Sequence, residues 1–137
     1  MKVLVTGGCG YIGSHTIVDL LHKGFDVVSV DNFSRGKQYI PDHIFQITGK
    51  RISNIKADLA NLSETRDIFK EEKNISGIIH FAAFKMVGES VANPLMYYHN
   101  NLTSLINLLE CRHEFNCPYF IFSSSSSVYG NIDTLPV

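Results

Sequence analysis

The sequence predicts an α/β fold, a doubly wound parallel sheet with helices on both faces. Two observations carry that prediction. Apolar runs of strand length alternate with helix-length segments along the chain, the pattern of successive βαβ units. The strand-like runs are also continuously apolar rather than alternating, as strands covered on both faces are. The chain has 137 residues, of which 45% are hydrophobic and 18% charged. That composition is globular and excludes intrinsic disorder. The length suits one domain, enough to bury roughly two-thirds of the surface that the unfolded chain exposes.

Five runs read as strands: residues 2–6, 25–30, 53–57, 77–83 and 119–123. The first ends in glycines, the second at Asp31 and the third at Asp58. Helices fit between them. Residues 12–23 carry Ile12, Thr16 and Leu20, with Ile17 and Leu21, at helical spacing, and Gly24 stops them. Residues 38–48 form a weaker helix interrupted by Pro41. Residues 62–73 follow Asn61, with Glu64 three residues on, a start like a capping box. Asn93-Pro94 opens the last helix, with proline at its first position, and the helix runs to about Phe115. Its apolar stripe is Leu95, Tyr98, Leu102, Leu105 and Leu109, widened by Ile106 and Leu108. A stripe so broad is expected to cover the sheet and also to meet a partner helix. The stretch before Asn93, with Glu89 and Ser90, reads as a loop.

Charge and composition exclude several functions. Twelve basic residues against thirteen acidic ones give a net charge of -1, whereas a nucleic-acid surface needs an excess of cations. No apolar run reaches the ~18 residues of a membrane span. The N-terminus turns to glycine at Gly7 before a signal-peptide core forms. Cys9, Cys111 and Cys117 are odd in number and fit no zinc spacing. They read as reduced thiols in a cytoplasmic protein. The six histidines make no ligand pair, so no metal site is expected.

The chemistry-bearing segment is Thr6-Gly-Gly-Cys-Gly-Tyr-Ile-Gly13, between the first strand and the first helix. Gly8-x-Gly10-x-x-Gly13 fits the dinucleotide fingerprint, and Gly7 adds a further glycine. One glycine makes the tight turn, one lets backbone N–H groups approach a pyrophosphate, and one lets the helix pack on the strand. The helix N-terminus adds a favourable dipole for phosphates. A nucleoside-triphosphate loop is excluded, because Ser14 stands where lysine is required. Asp31 lies 18 residues beyond Gly13, where a carboxylate accepts hydrogen bonds from adenosine ribose hydroxyls and repels a 2′-phosphate. That favours NAD over NADP. Arg35 and Lys37 point the other way if they pair with a 2′-phosphate, but read better as solvated loop charges. Asp58 is placed either to reach the adenine or to make a strand-end turn.

Further segments join these: Ile79-His-Phe-Ala-Ala-Phe-Lys85, Val87-Gly-Glu-Ser-Val91, Pro94-Leu-Met-Tyr-Tyr-His-Asn-Asn101 and Phe120-Ile-Phe-Ser-Ser-Ser-Ser-Ser-Val-Tyr-Gly130. Together they resemble the extended short-chain dehydrogenase/reductase family, most closely its nucleotide-sugar 4-epimerases. The resemblance spans essentially the whole chain but only the N-terminal part of the family's domain. It implies a Rossmann-like sheet of about five strands in the order 3-2-1-4-5. It implies that Gly7, Gly10, Tyr11, Ile12 and Gly13 hold the pyrophosphate of NAD, and that Asp31 and Asn32 hold the adenosine ribose. Asp58 and Leu59 then meet the adenine. Phe81, Ala82 and Ala83 line the dinucleotide, and Lys85, Asn100 and Ser123 complete the contacts. Ala83 replaces a glycine common in the family. Ser125 matches the catalytic hydroxyl that hydrogen-bonds the reacting sugar oxygen, with Ser127 a second hydroxyl nearby, and Glu89 and Ser90 lie toward the substrate. Related 4,6-dehydratases carry Asp and Glu in the slots of Ser126 and Ser127, and serine cannot usefully protonate a leaving group.

The implied reaction interconverts UDP-glucose and UDP-galactose through oxidation at C4, a 4-keto intermediate and return of the hydride. The family's base is a tyrosine with a lysine four residues later. The residues four beyond the six tyrosines are His15, His43, Asn101, Leu102, Ser123 and Asp133, none of them lysine. The expectation is a shortened chain, residues 1–137 of the NAD-binding domain, lacking the sugar-nucleotide-binding region and inactive by itself. A homodimer joined through long helices is expected for the full-length protein. Two alternatives stay open: an epimerase of UDP-glucuronate or N-acetylhexosamine type, and a non-catalytic dinucleotide-binding module.

Overall fold

A computed structural model describes residues 1–125 and residue 130. Five parallel strands form one sheet: β1 (Lys2–Thr6), β2 (Asp26–Asp31), β3 (Ser53–Lys56), β4 (Ile75–His80) and β5 (Tyr119–Phe122). Their order is β3-β2-β1-β4-β5, as the family resemblance implied. Five helices join them: α1 (Tyr11–His22), α2 (Ile40–Thr48), α3 (Leu62–Glu71), α4 (Val87–Ala92) and α5 (Pro94–Glu114). The chain steps outward from β1 to β3 and then crosses back to β4 on the other side of β1. A topological switch point therefore opens between the C-terminal ends of β1 and β4, where α/β sheets bind ligands. Register sets Thr6 beside Val30 on one side and His80 on the other.

Alternate strand residues feed two cores. Val3, Val5 and Val27 pack with Ile17 and Leu21 of α1 and Ile44 of α2. Leu4, Val28, Val30 and Ile78 pack on the opposite face with Ile68 and Phe69 of α3 and Leu108 and Cys111 of α5. Full burial of side chains such as Leu4 and Ile17 contributes about 1.5–3 kcal/mol each.

Element ends differ from the sequence reading where side chains intervene. α2 starts at Ile40, which puts Pro41 in its first turn, where a missing N–H costs nothing. β4 ends at His80 rather than at Ala83: the Phe81 N–H is shared between the Thr6 carbonyl at 3.3 Å and the Thr6 hydroxyl at 3.2 Å, and the Ala82 N–H turns to that hydroxyl at 3.2 Å. The stretch expected as a loop before Asn93 contains α4, a six-residue helix with no buried residue. A helix without an apolar stripe leaves no periodic signal.

The broad stripe of α5 covers the sheet less than expected. Leu108 is buried, but Leu95, Tyr98, Leu102, Ile106 and Leu109 are exposed, while Tyr97, Ser104, Asn107 and Cys111 also face inward. The inner face is more polar because it carries hydrogen bonds to the loops. The Asn107 amide, for example, donates to the Leu59 carbonyl at 2.8 Å. Tyr119, Ile121 and Phe122 of the edge strand β5 are exposed as well. All three cysteines are free and buried. Among the described residues, no helix is long and apolar enough to cross a membrane.

Candidate functional site

The glycine loop runs from β1 into α1 at the switch point. Gly7 adopts φ +65°, and its N–H donates to the Val30 carbonyl at 2.8 Å. Its neighbours leave no room for a side chain. A Cβ on Gly7 would lie 3.0 Å from the Ala82 nitrogen, one on Gly8 would run into the Ser29 hydroxyl, and one on Gly13 would run into the Gly7 carbonyl. Gly10 caps α1 without a side chain. The first intrahelical donor is the Ser14 N–H, to Gly10 at 3.1 Å. The N–H groups of Tyr11, Ile12 and Gly13 precede it and point out of the helix end, where the dipole favours an anion. The side chains of Tyr11 and Ile12 are exposed.

Asp31, at the end of β2, is held by the backbone on both oxygens. Oδ2 accepts from the Cys9 N–H at 3.0 Å and Oδ1 from the Phe33 N–H at 2.8 Å. Each oxygen has a further lone pair to offer. The loop then folds back on the glycine loop. Phe33 takes φ 59°, costly for a bulky residue, and the Lys37 N–H donates to the Cys9 carbonyl at 3.2 Å. The Asn32 side chain accepts from the Ser34 N–H at 2.9 Å. Burial, then the Asp31 carboxylate, pushes the Cys9 thiol up to about 11, so it stays protonated.

The loop after β4 forms the opposite wall. The Thr6 hydroxyl lies 2.7 Å from His80 Nδ1. Because that oxygen accepts from Phe81 and Ala82, its own proton goes to Nδ1, and the imidazole carries its proton on Nε2. His80 is 1% exposed, and burial pushes its pKa down to about 4, so the ring is neutral. Further on, the Asn101 side chain grips Phe84 from both sides. It accepts from the Phe84 N–H at 2.8 Å and donates to its carbonyl at 3.0 Å. Asn100 donates to the same Asn101 oxygen at 2.9 Å. Ala83 and Lys85, on either side of Phe84, are exposed.

Asn32, Asp58, Phe84, His99 and Asn100 line one cavity of about 480 Å³. The cavity thus brings together residues from the loops that follow β2, β3 and β4 and from α5. The Asp58 carboxylate accepts from the Ala60 N–H at 3.0 Å, so the residue makes its turn and borders the cavity at once. Leu59 is 5% exposed with its side chain in the core, so it can meet a ligand only through its backbone. The Ser123 N–H donates to the His80 carbonyl at 3.2 Å, at the same sheet edge, and Ser125 is exposed beyond it. Ser127 lies outside the described residues.

Two organising residues escaped the sequence reading, Thr6 and His80, and a third, Glu89, was read only as lying toward the substrate. Thr6 and His80 looked like ordinary strand ends. Glu89 binds Arg35 at 2.7 Å and accepts from the Tyr97 hydroxyl at 2.7 Å. Those two hydrogen bonds hold its carboxyl below the usual range. The only signal was the presence of Glu89 and Tyr97 in the quoted segments.

Comparison with known proteins gives a consistent picture. The family described as GDP-mannose 4,6 dehydratase matches residues 4–137. The UDP-glucose 4-epimerase of Bacillus subtilis is 45% identical over 137 residues, covering 100% of this chain and 40% of that protein. A UDP-glucose 4-epimerase sequence from Klebsiella pneumoniae is 46% identical over 136 residues and is covered over 97% of its length. The Bifidobacterium longum UDP-glucose 4-epimerase, solved in complex with NAD+ and UDP, superposes with a TM-score of 0.94 at 44% identity. That match covers 100% of this chain and 41% of the other. The chain therefore spans about two-fifths of the length of the Bacillus and Bifidobacterium relatives.

Proposed function

The chain belongs to the GDP-mannose 4,6 dehydratase family, and from that premise we propose that it carries the NAD-binding part of a UDP-glucose 4-epimerase. The observation that carries the reading is Asp31, fixed by two backbone N–H groups beside a glycine cradle that has no room for a Cβ. The dehydratase activity in the family's description does not transfer, because Ser126 and Ser127 supply no acid to expel water.

The residues present fit a dinucleotide. The N–H groups at the start of α1 bind the pyrophosphate, with Gly7, Gly10, Tyr11, Ile12 and Gly13 shaping the cradle. Asp31 and Asn32 orient the adenosine ribose, and Asp58 and the Leu59 backbone border the adenine. Phe81, Ala82 and Ala83 form the opposite wall, with Lys85, Asn100 and Ser123 along it. When bound, NAD supplies a hydride acceptor that can return the hydride to either face of the sugar. Ser125 would hydrogen-bond the sugar oxygen at C4, with Ser127 the family's second hydroxyl by sequence match. No Tyr-x-x-x-Lys pair exists in these 137 residues to take the hydroxyl proton. The purified chain is therefore expected to show no epimerase turnover, and sustained conversion of UDP-galactose by it contradicts the reading. The whole protein is read as a cytoplasmic homodimer in galactose metabolism, acting on UDP-hexoses and on neither membranes nor nucleic acid.

The test is calorimetric titration of NAD and NADP into the chain and its Asp31→Ala variant. NAD should bind in preference to NADP, and the variant should bind NAD at least about tenfold more weakly, the effect of losing a charge-assisted hydrogen bond. Equal NAD affinity in the two proteins overturns the role given to Asp31.

A further inference from the structure

Arg35 stands in the loop that wraps the Asp31 carboxylate. Phe33 donates to that carboxylate at 2.8 Å, and Gly36 packs on it so closely that a Cβ there would lie 2.7 Å from Oδ1. An arginine in this part of a dinucleotide site is the usual partner of a 2′-phosphate. Here its guanidinium is engaged by a carboxylate. Nη2 donates to both oxygens of Glu89, each at 2.7 Å, and the guanidinium carbon lies 5.9 Å from the centre of the Phe84 ring.

Glu89 is not a wandering surface partner. The Tyr97 hydroxyl donates to Glu89 Oε2 at 2.7 Å and itself accepts from the Met86 N–H at 3.0 Å. Two elements outside the ribose loop, α4 and α5, therefore aim this carboxylate. The Arg35 side chain remains 60% exposed, so a phosphate in solvent can reach it once the carboxylate is gone.

We propose that Glu89 is a cofactor-specificity residue: by engaging Arg35 it withholds the guanidinium from a 2′-phosphate and reinforces the preference for NAD over NADP. The inference rests on the dinucleotide reading above. Asp31 repels the 2′-phosphate directly, and Glu89 removes the cation that would offset that repulsion. Two carboxylates thus act on one selection, one from β2 and one from α4.

The test compares the chain with Glu89→Gln and with the double variant Arg35→Ala/Glu89→Gln. Glutamine keeps the size and still accepts from Tyr97, so the fold of α4 is retained while the charge is lost. NAD and NADP are titrated into each protein. The ratio of NADP to NAD affinity should rise up to about fivefold in Glu89→Gln, the most that release of an exposed ion pair allows. The gain should vanish in the double variant and shrink with added salt. An unchanged ratio in Glu89→Gln overturns the inference while leaving the dinucleotide reading intact, and so does a gain that survives loss of Arg35. A parent chain that binds neither nucleotide overturns the dinucleotide reading, and this inference with it.

Discussion

The glycine-loop wall and the α4 wall of the crevice are built by different means. The first is a backbone construction. Gly7 donates to Val30, Cys9 to Asp31 and Lys37 to Cys9, and glycines fill the positions where chains touch. The second is a side-chain construction. No residue of α4 is buried, and Glu89, Tyr97, Arg35 and Asn101 hold it and the preceding loop in place. A backbone-built wall has its geometry before a ligand arrives. A wall held by one exposed ion pair and a few side-chain hydrogen bonds is only loosely held, because such contacts contribute little in water.

Substitutions can break or sharpen that contrast. The largest effect is expected in the backbone wall. In Gly13→Val the side chain runs into the Gly7 carbonyl, so the loop must move. A loss of about 3 kcal/mol or more in urea unfolding, and of all NAD binding, is expected. Next comes the pH response of the joint between the walls. The folded pKa of His80, about 4, lies below its ordinary 6.5. The unfolded state therefore binds the proton first, and the stability present above about pH 6.5 is lost as pH falls toward 4. The loss is on the order of 3 kcal/mol, and His80→Leu should flatten that segment of the stability curve. Thr6→Val keeps the shape but deprives the Ala82 N–H and His80 of their partner and leaves the Phe81 N–H only the Thr6 carbonyl, at 3.3 Å. It should cost about 2 kcal/mol by the same unfolding measurement. The smallest effect belongs to the α4 wall. Tyr97→Phe removes the hydroxyl between Glu89 and Met86. It should lower the melting temperature less than Thr6→Val does, and a larger fall would mean that α4 is more than a loosely held flap.

The contrast also explains what was legible in the sequence. Continuous apolar runs and the glycine spacing announced the parallel sheet and pointed to Asp31, because backbone requirements restrict residue type, whereas the strand order came from the family resemblance. No backbone requirement restricts residue type in α4, which has neither a buried residue nor a side-chain cap. The α5 stripe misled for a related reason. Its most apolar residues face outward, and its inner positions are spent on Asn101, Ser104 and Asn107, which bond to loops or to the helix itself. Arg35 could be read from sequence as a phosphate partner or a solvated charge. Only the fold shows that Glu89, 54 residues away, holds it.

Hydrogen exchange of the chain with and without NAD tests the central claim most directly. The account predicts added protection at residues 7–13, 31–37 and 81–85, the lining of the switch-point crevice, with the interiors of β1 and β2 slow to exchange in both states. Protection confined to β5 and residues 123–125, or none at any of these segments, would contradict it.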